Sequence, residues 1–330
     1  MSVIYVTESG TMVGREGGQF YISKGQERLC EVPEETLEGL VLFGGVQVSA
    51  AAVTALLRQE VPVAWMSAKG RFQGRLDSMG QGHVLRQRSQ FRLTEKSESR
   101  LHLARKFIAA KIHNQRVLLR KHPSPGPIVG GGVLHLAALE QKVEETASIE
   151  ELMGLEGAAA RRYFSCLAHM VPETFFEGRR SRRPPQDAFN SLLSFGYHLL
   201  FTEIYTAIIQ TGLHPDLGFL HSLHPKHPAL VSDLMEEWRP VIVDSLALAL
   251  LSRSSLQLSD FQAPDERGGV YLTDDGRKRF LQAYEKKMRQ EQQYLGTSLS
   301  FRQGIVKQAR SLARAVEVEE LPLYQPVRIR

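Results

Sequence analysis

The sequence predicts an α+β protein: a small N-terminal β-sheet domain followed by a larger all-α C-terminal domain. Three observations predict it. Residues 1–85 consist of short, partly alternating apolar runs parted by Gly, Ser and Lys-Gly turn signals, the pattern of strands. From Leu93 onward apolar residues recur at helical spacing, as at Leu101, Ala104, Ile108 and Ile112. The length of 330 residues is enough for two separate cores.

In order, VIYVT, TMVGR, QFYISK and ERLCEV read as strands, and LEGLVLFGG as a more buried one. Ser49 caps a helix through AAAVTALLRQ. VPVAWMS and RFQGRL follow as strands joined by a turn at Ala68-Lys69-Gly70, with Trp65 and Phe72 as core. This region holds no carboxylate–histidine cluster and no phosphate-binding glycine loop. The polar run Gly80–Ser89 marks a change of character, and residues 86–92 are read as the linker to a helical domain spanning 93–330.

The first long helix ends near Lys121, and HPSPGPIVGGG, from His122, reads as a loop. A helix covers Leu134 to Glu145. Ser148 with Glu151 then resembles a capping box for a short helix, IEELMGLEG. Glu156 opens the next helix, where a carboxylate ordinarily compensates the helix dipole at the surface. Pro184 and Pro185 end an arginine-rich loop, and Gln186 or Asp187 caps an apolar helix from Ala188 to Gln210, closed by Gly212. Beyond Asp244 the chain continues as a helix, then a short extended VYLT and a cap at Thr273 to Asp275. A basic amphipathic helix running into QEQQYL and a last helix from Ser300 to Val316 complete the domain. The tail LPLYQPVRIR is mobile or docks on another surface.

Composition narrows the function classes. Cys30 and Cys166 alone exclude a disulfide framework and a thiolate zinc motif. The N-terminus lacks the basic start and apolar centre of a signal peptide, and the apolar run Val241–Leu251 is too short for a bilayer. A cytoplasmic protein away from membranes is expected. The net charge is +5, with basic residues clustered at Arg161, Arg162, Arg179, Arg180, Arg182 and Arg183 and again at Arg86, Arg88, Arg92, Arg100, Arg105 and Lys106. Such clusters suit phosphate backbones, or else are solvated helix faces.

The richest chemistry lies between Gly212 and Asp244. His214, His221, His224 and His227 lie in a Pro/Gly-rich loop that leads into a helix carrying Asp233, Glu236 and Glu237. Carboxylates three and four residues apart share a helix face and need a compensating cation. His221, Asp233 and Glu236 together suit Mn²⁺ or Mg²⁺ and tolerate Zn²⁺. There is no HExxH, GxSxG, GxxxxGK[ST] or strand-following GxGxxG, which removes the commonest zincin, serine hydrolase, P-loop and dinucleotide readings. His214, His224 and His227 each adjoin a proline and read equally as solvated turn residues. A structural DNA-binding protein without catalysis, or a metal-stabilised scaffold, fits the same residues.

Four blocks sharpen this. LEGAAARRYF, RRPPQDAFNSLLSFGY, GLHPDLGFLHSLHPKHPALVSDLMEEWRP and YLTDDGRKRFLQAYEKKM, in this order, resemble the CRISPR-associated adaptation endonuclease, the integrase subunit that inserts new spacers. The similarity extends over nearly the whole chain and implies a metal-dependent catalytic domain behind a β-domain. It implies metal ligands at Glu156, in the E-x-x-A-A-x-x-Y block, at His221, ending G-F-L-H, and at Glu236, in the D-L-M-E block. Asp233 becomes a supporting or alternative ligand, and Glu237 faces elsewhere. Glu156 thereby moves from the helix surface to the site. His221 ligates the metal or transfers a proton; Tyr163 lies near the metal, contacts nucleic acid with Arg161, Arg162, Arg179, Arg180, Arg182 and Arg183, or packs. Further implications are Mg²⁺ or Mn²⁺ as cofactor, double-stranded DNA held by the arginines, a homodimer through the N-terminal sheet, and a small ferredoxin-like second subunit.

Overall fold

The computed structural model describes residues 2–77, 83–121, 126–225, 227–294 and 296–330. The chain forms two compact units, Met1–Gly82 with Asp274–Glu285, and His83–Thr273 with Lys286–Arg330.

The first unit contains β1 (Ser2–Val6), β2 (Thr11–Glu16), β3 (Gln19–Lys24), β4 (Glu27–Pro33), β5 (Leu37–Phe43), β6 (Gln47–Val48), α1 (Ala50–Arg58), β7 (Val63–Met66) and β8 (Phe72–Leu76). They make two four-stranded sheets, ordered β1-β5-β7-β8 and β4-β3-β2-β6. β5 lies between parallel neighbours β1 and β7, which explains its near-continuous apolar run. β2, β3 and β4 form an antiparallel meander. Val13, Phe20, Leu40, Leu42, Leu56 and Val63 fill the core, with Trp65 packed against it. Ser49 caps α1 as expected, its Oγ accepting from the Ala52 N–H at 3.2 Å. The turn after β7 closes at Gly70, whose φ of +80° is open to glycine and whose N–H donates to Ser67 O at 2.8 Å.

The second unit is built from α2 (Val84–Glu95), α3 (Ser97–Arg120), α4 (Pro127–Lys142), α5 (Ile149–Leu167), α6 (Ala188–Gln210), α7 (Ala229–Trp238) and α8 (Ser245–Ser252). After α9 (Asp274–Arg289) come β9 (Glu291–Tyr294), β10 (Thr297–Ser300) and α10 (Phe301–Glu317). The α+β class therefore stands, with one addition: the expected basic helix stops at Arg289, and β9 and β10 pair as a hairpin inside the helical region.

Other boundaries differ from the sequence reading. Residues 86–92, expected as a linker, lie within α2, where Gln90 is buried and Arg86 donates to the Thr211 carbonyl and pairs with Glu317 at 2.7 Å. Residues 80–82 of the expected polar run lie outside the described residues. Residues 274–285 of α9 count with the first unit rather than the C-terminal domain. Arg277 there donates to Ala68 O at 2.9 Å and covers the Phe43 ring, and Tyr5 donates to Glu285 at 3.2 Å.

The glycines of PIVGGG, expected in a loop, are helical. The reason is packing: a Cβ on Gly132 would strike Cys166 Sγ of α5, and one on Gly131 would lie 3.1 Å from Arg162 Nη2. Contact with α5 demands glycine there and outweighs its poor helix propensity. α5 runs without a break from its Ser148 cap, so Glu156 sits mid-helix rather than at a start. Ser148 Oγ accepts from Glu151 N at 3.1 Å, while the Glu151 carboxylate accepts from Ala147 N, one residue before a reciprocal box.

α6 is capped by Asp187, whose Oδ1 accepts from Asn190 N at 2.7 Å, and is followed by Gly212 at φ +71°. α6 has the length and apolarity of a membrane span, but a majority of its apolar window is buried, and it serves as a core helix. Between α7 and α8 the chain winds as a π-helix from Arg239 to Asp244, with Pro240 removing one N–H from the helical ladder.

Candidate functional site

α3, α5 and α7 converge on one lysine. Lys111 lies in the apolar stretch FIAAKIHN of α3, and its side chain is 8% exposed. Its Nζ stands 2.5 Å from Glu156 Oε1 on α5 and 2.5 Å from Glu236 Oε2 on α7. Two of the three expected ligands thus meet across a single ammonium. Glu236 Oε2 is buried and faces this ammonium as a close ion pair. Glu236 Oε1 faces Arg239 Nη1 at 3.3 Å. Burial opposes ionisation of Glu236, but Arg239, Lys111 and His221 outweigh it and hold the carboxyl down at about 2.

The third expected ligand, His221, is set by Asp233. The Asp233 carboxylate is fully buried. Its Oδ2 accepts from Phe219 N at 2.6 Å and Leu220 N at 3.0 Å, and its Oδ1 from His221 N at 3.0 Å and the His221 Nδ1–H at 2.7 Å. All four acceptor positions of the carboxylate are occupied. Asp233 therefore folds the GFLH turn and orients the imidazole, leaving Nε2 as the nitrogen that can meet a cation or a proton. Burial lowers the affinity of His221 for its proton, yet the Asp233 bond and charge, with Glu236, raise it above the ordinary value.

The turn is clamped from three further directions. Gly218 lies so close to α7 that a Cβ would come within 2.7 Å of Ala229 Cβ and 2.8 Å of Asp233 Oδ2. Gln90 of α2 donates to His214 O at 3.0 Å and Leu217 O at 2.8 Å and accepts from His214 N at 2.8 Å. Arg100 of α3 donates to Phe219 O at 3.2 Å. His224 and His227 bridge one another in the same loop, and the His227 ring lies 5.9 Å from that of His221. Burial lowers His227, as do the charges of His221, His224 and Arg183.

Glu237 does face elsewhere. Its carboxylate accepts from Tyr324 OH at 2.6 Å, Val327 N at 2.6 Å and Gln308 Nε2 at 2.9 Å. The C-terminal tail therefore docks on its own helical unit. Asn114, three residues beyond Lys111, completes the clamp by donating to Glu237 O and Val327 O and accepting from Ile329 N.

Two expected roles change. Tyr163 is 1% exposed, and its hydroxyl donates to Asp244 Oδ2 at 2.8 Å, so it packs inside the unit and presents nothing to nucleic acid. Tyr197 donates to the same carboxylate at 2.5 Å; burial, against these two bonds, lifts Asp244 to about 6. Arg180 is held by Asn190 Oδ1 at 2.9 Å and Ser194 Oγ at 3.1 Å, and Arg162 donates to Ile128 O at 3.0 Å. Arg161, Arg179, Arg182 and Arg183 remain exposed. Most of the second basic cluster is used internally: Arg105 holds Thr146, and Lys106 holds the carbonyls of Pro322 and Tyr324.

Lys111, Arg239 and Gln90 stand outside the residues that the sequence singles out. Lys111 does carry a signal, a lone cation in an apolar helical stripe, and Arg239 lies one turn beyond Glu236, after Trp238. Gln90 carries none, because its partners are backbone atoms more than a hundred residues away.

Residues 4–286 match the family model described as CRISPR associated protein Cas1. A CRISPR-associated endonuclease Cas1 of Thermus thermophilus is 34% identical over 334 residues, covering 100% of this chain and 98% of that protein. One from Rhodospirillum rubrum is 35% identical, covering 99% and 98%. A solved Cas1 protein from Thermotoga maritima superposes with a TM-score of 0.83 at 26% identity, covering 96% of this chain and 97% of that one. The fold and the full-length similarity together place this chain in the Cas1 family of CRISPR-associated endonucleases.

Proposed function

We propose that the protein is a Mg²⁺- or Mn²⁺-dependent endonuclease and integrase of CRISPR adaptation, which inserts spacer DNA into a repeat array. The observation that carries this reading is the convergence of Glu156 and Glu236 on one ammonium, with the Asp233-held His221 close enough for its charge to act on Glu236. Two carboxylates and an imidazole without thiolate suit these cations. The buried Oε2 of Glu236, which faces the Lys111 ammonium, is the kind of acceptor a cation takes up. Among the described residues no three such side chains already stand as a cage, because Lys111 lies between the two glutamates. Glu156, Glu236 and His221 Nε2 are the groups that would hold the ion.

When bound, the cation supplies Lewis-acid polarisation of the scissile phosphate and charge stabilisation at the leaving 3′ oxygen. Asp233 keeps the His221 ring fixed, so its Nε2 is delivered to the cation or to a proton in transit. In integration the 3′-hydroxyl of incoming DNA attacks phosphorus, and one P–O bond forms as another breaks. With water as attacker the same groups cleave DNA. Exposed Arg179, Arg182 and Arg183 suit the backbone of double-stranded DNA, with little base reading, and the charge of Arg183 reaches His227 in the histidine loop. Homodimerisation through the N-terminal sheets and docking of a small ferredoxin-like second subunit belong to the same proposal. The exposed edge strand β4 supports the former.

The test is strand transfer and cleavage of repeat DNA with Mn²⁺, comparing the wild-type chain with Glu156→Ala and His221→Ala. Loss of both activities with DNA binding retained is expected. Unchanged activity in either variant sinks the proposal, and binding without chemistry under any divalent metal favours a structural DNA-binding protein.

A further inference from the structure

We propose that Lys111 is a resident cation that holds the two glutamates together in the metal-free protein and competes with the divalent ion for their oxygens. The inference rests on the metal reading above and deepens it. Glu156 and Glu236 come from different helices, and their carboxylates approach closely enough to share one Nζ at 2.5 Å from each. Without a positive charge between them they repel, and the helices carrying them are pushed apart. Lys111 supplies that charge from a third helix, with its side chain 8% exposed.

Glu236 Oε2 is buried, and the Lys111 ammonium faces it at 2.5 Å. Lys111 brings one positive charge to the pair, beside Arg239 on the other oxygen of Glu236, whereas a divalent ion would bring two. A divalent ion at the same oxygens stands against the charge of the ammonium, and this repulsion favours one cation there at a time. A flexible four-carbon stem lets the ammonium withdraw, which a planar guanidinium does less readily. Lys111 therefore preorganises the carboxylates at the separation a cation needs and lowers the apparent affinity by the fraction of molecules in which it occupies the gap.

The experiment measures Mn²⁺ binding to the full chain without DNA, by calorimetry, alongside melting temperature with and without Mn²⁺. Wild type is compared with Lys111→Met and with the charge-keeping Lys111→Arg. Lys111→Met is expected to melt lower when metal-free, to bind Mn²⁺ about tenfold or more tightly, and to gain more in melting temperature on adding Mn²⁺. Lys111→Arg is expected to stay near wild type or weaker. Should Lys111→Met fail to fold without metal, refolding in Mn²⁺ supports the proposal, and no recovery in Mn²⁺ overturns it. Wild-type binding with unchanged or weaker affinity in Lys111→Met overturns the competition while leaving the metal reading intact. Absence of Mn²⁺ binding in both wild type and Lys111→Met removes the metal reading and this inference with it.

Discussion

At the residue scale, the site depends on side chains that never touch a substrate. Asp233 has no acceptor left over, since the Phe219, Leu220 and His221 amides and the His221 ring use its carboxylate in full. Asp233→Asn puts an amide N–H against backbone N–H donors. It is expected to cost roughly 1–3 kcal/mol of stability in urea denaturation and to abolish strand transfer. Wild-type activity in that variant would show that the imidazole needs no such anchor. Asp244 offers a pH test. Burial lifts its carboxyl from the ordinary 3.8 to about 6 against the bonds from Tyr197 and Tyr163. Between these values the folded chain keeps a proton that the unfolded chain releases. This carboxyl's contribution to stability therefore falls as pH rises through that window and levels off above it. Asp244→Asn is expected to flatten the dependence, read as urea midpoints from pH 4 to pH 7; identical slopes in both proteins would refute the assignment.

At the element scale, two glycines decide helix packing. Gly132 puts α4 directly against Cys166 of α5, the helix that carries Glu156, and Gly218 puts the GFLH turn directly against α7. Gly132→Ala is expected to destabilise by roughly 1–3 kcal/mol through overpacking, even though alanine is the better helix former. An increase in stability would mean that α4 and α5 can part without cost. The tail makes a larger prediction. Removing residues 321–330 strips Glu237 of Tyr324 and Val327, and Asn114 of Val327 and Ile329. Each orphaned buried group costs roughly 1–3 kcal/mol. A chain ending at Glu320 is expected to melt well below the full-length protein and to lose activity with it. A tail that was only an attached mobile arm would leave both unchanged.

At the scale of the whole molecule, the arginines divide into two kinds. Arg162 and Arg180, with Arg86 and Arg105 of the second cluster, are spent on backbone and side-chain acceptors of the helical unit. Arg161 is exposed on α5, and Arg179, Arg182 and Arg183 form an exposed group of three in the loop before α6. If the exposed three contact phosphates, their triple alanine variant binds DNA with a salt slope shallower by about 2–3. Arg180→Ala should instead lower the melting temperature. A salt slope unchanged by the triple variant places the DNA path elsewhere.

Sequence alone determined the α+β class, the caps Ser49 and Ser148 and the buried run of β5, and it narrowed the α6 cap to Gln186 or Asp187. Each of these rests on local physics: alternation, a side-chain acceptor at a helix start, or spacing on one turn. The residues themselves offered His221, Asp233 and Glu236 as candidates, and the block pattern added Glu156, which on its own reads as a helix-surface charge. Only the tertiary structure decided the rest. The helical Gly-rich segment follows from Cys166, and the docked tail from Glu237 and Asn114. Tyr163 turns inward to Asp244, and Lys111 comes to stand between two glutamates 45 and 125 positions away in the chain. Such choices are set by which buried groups must find a partner, and those partners are remote in sequence, so no local pattern announces them.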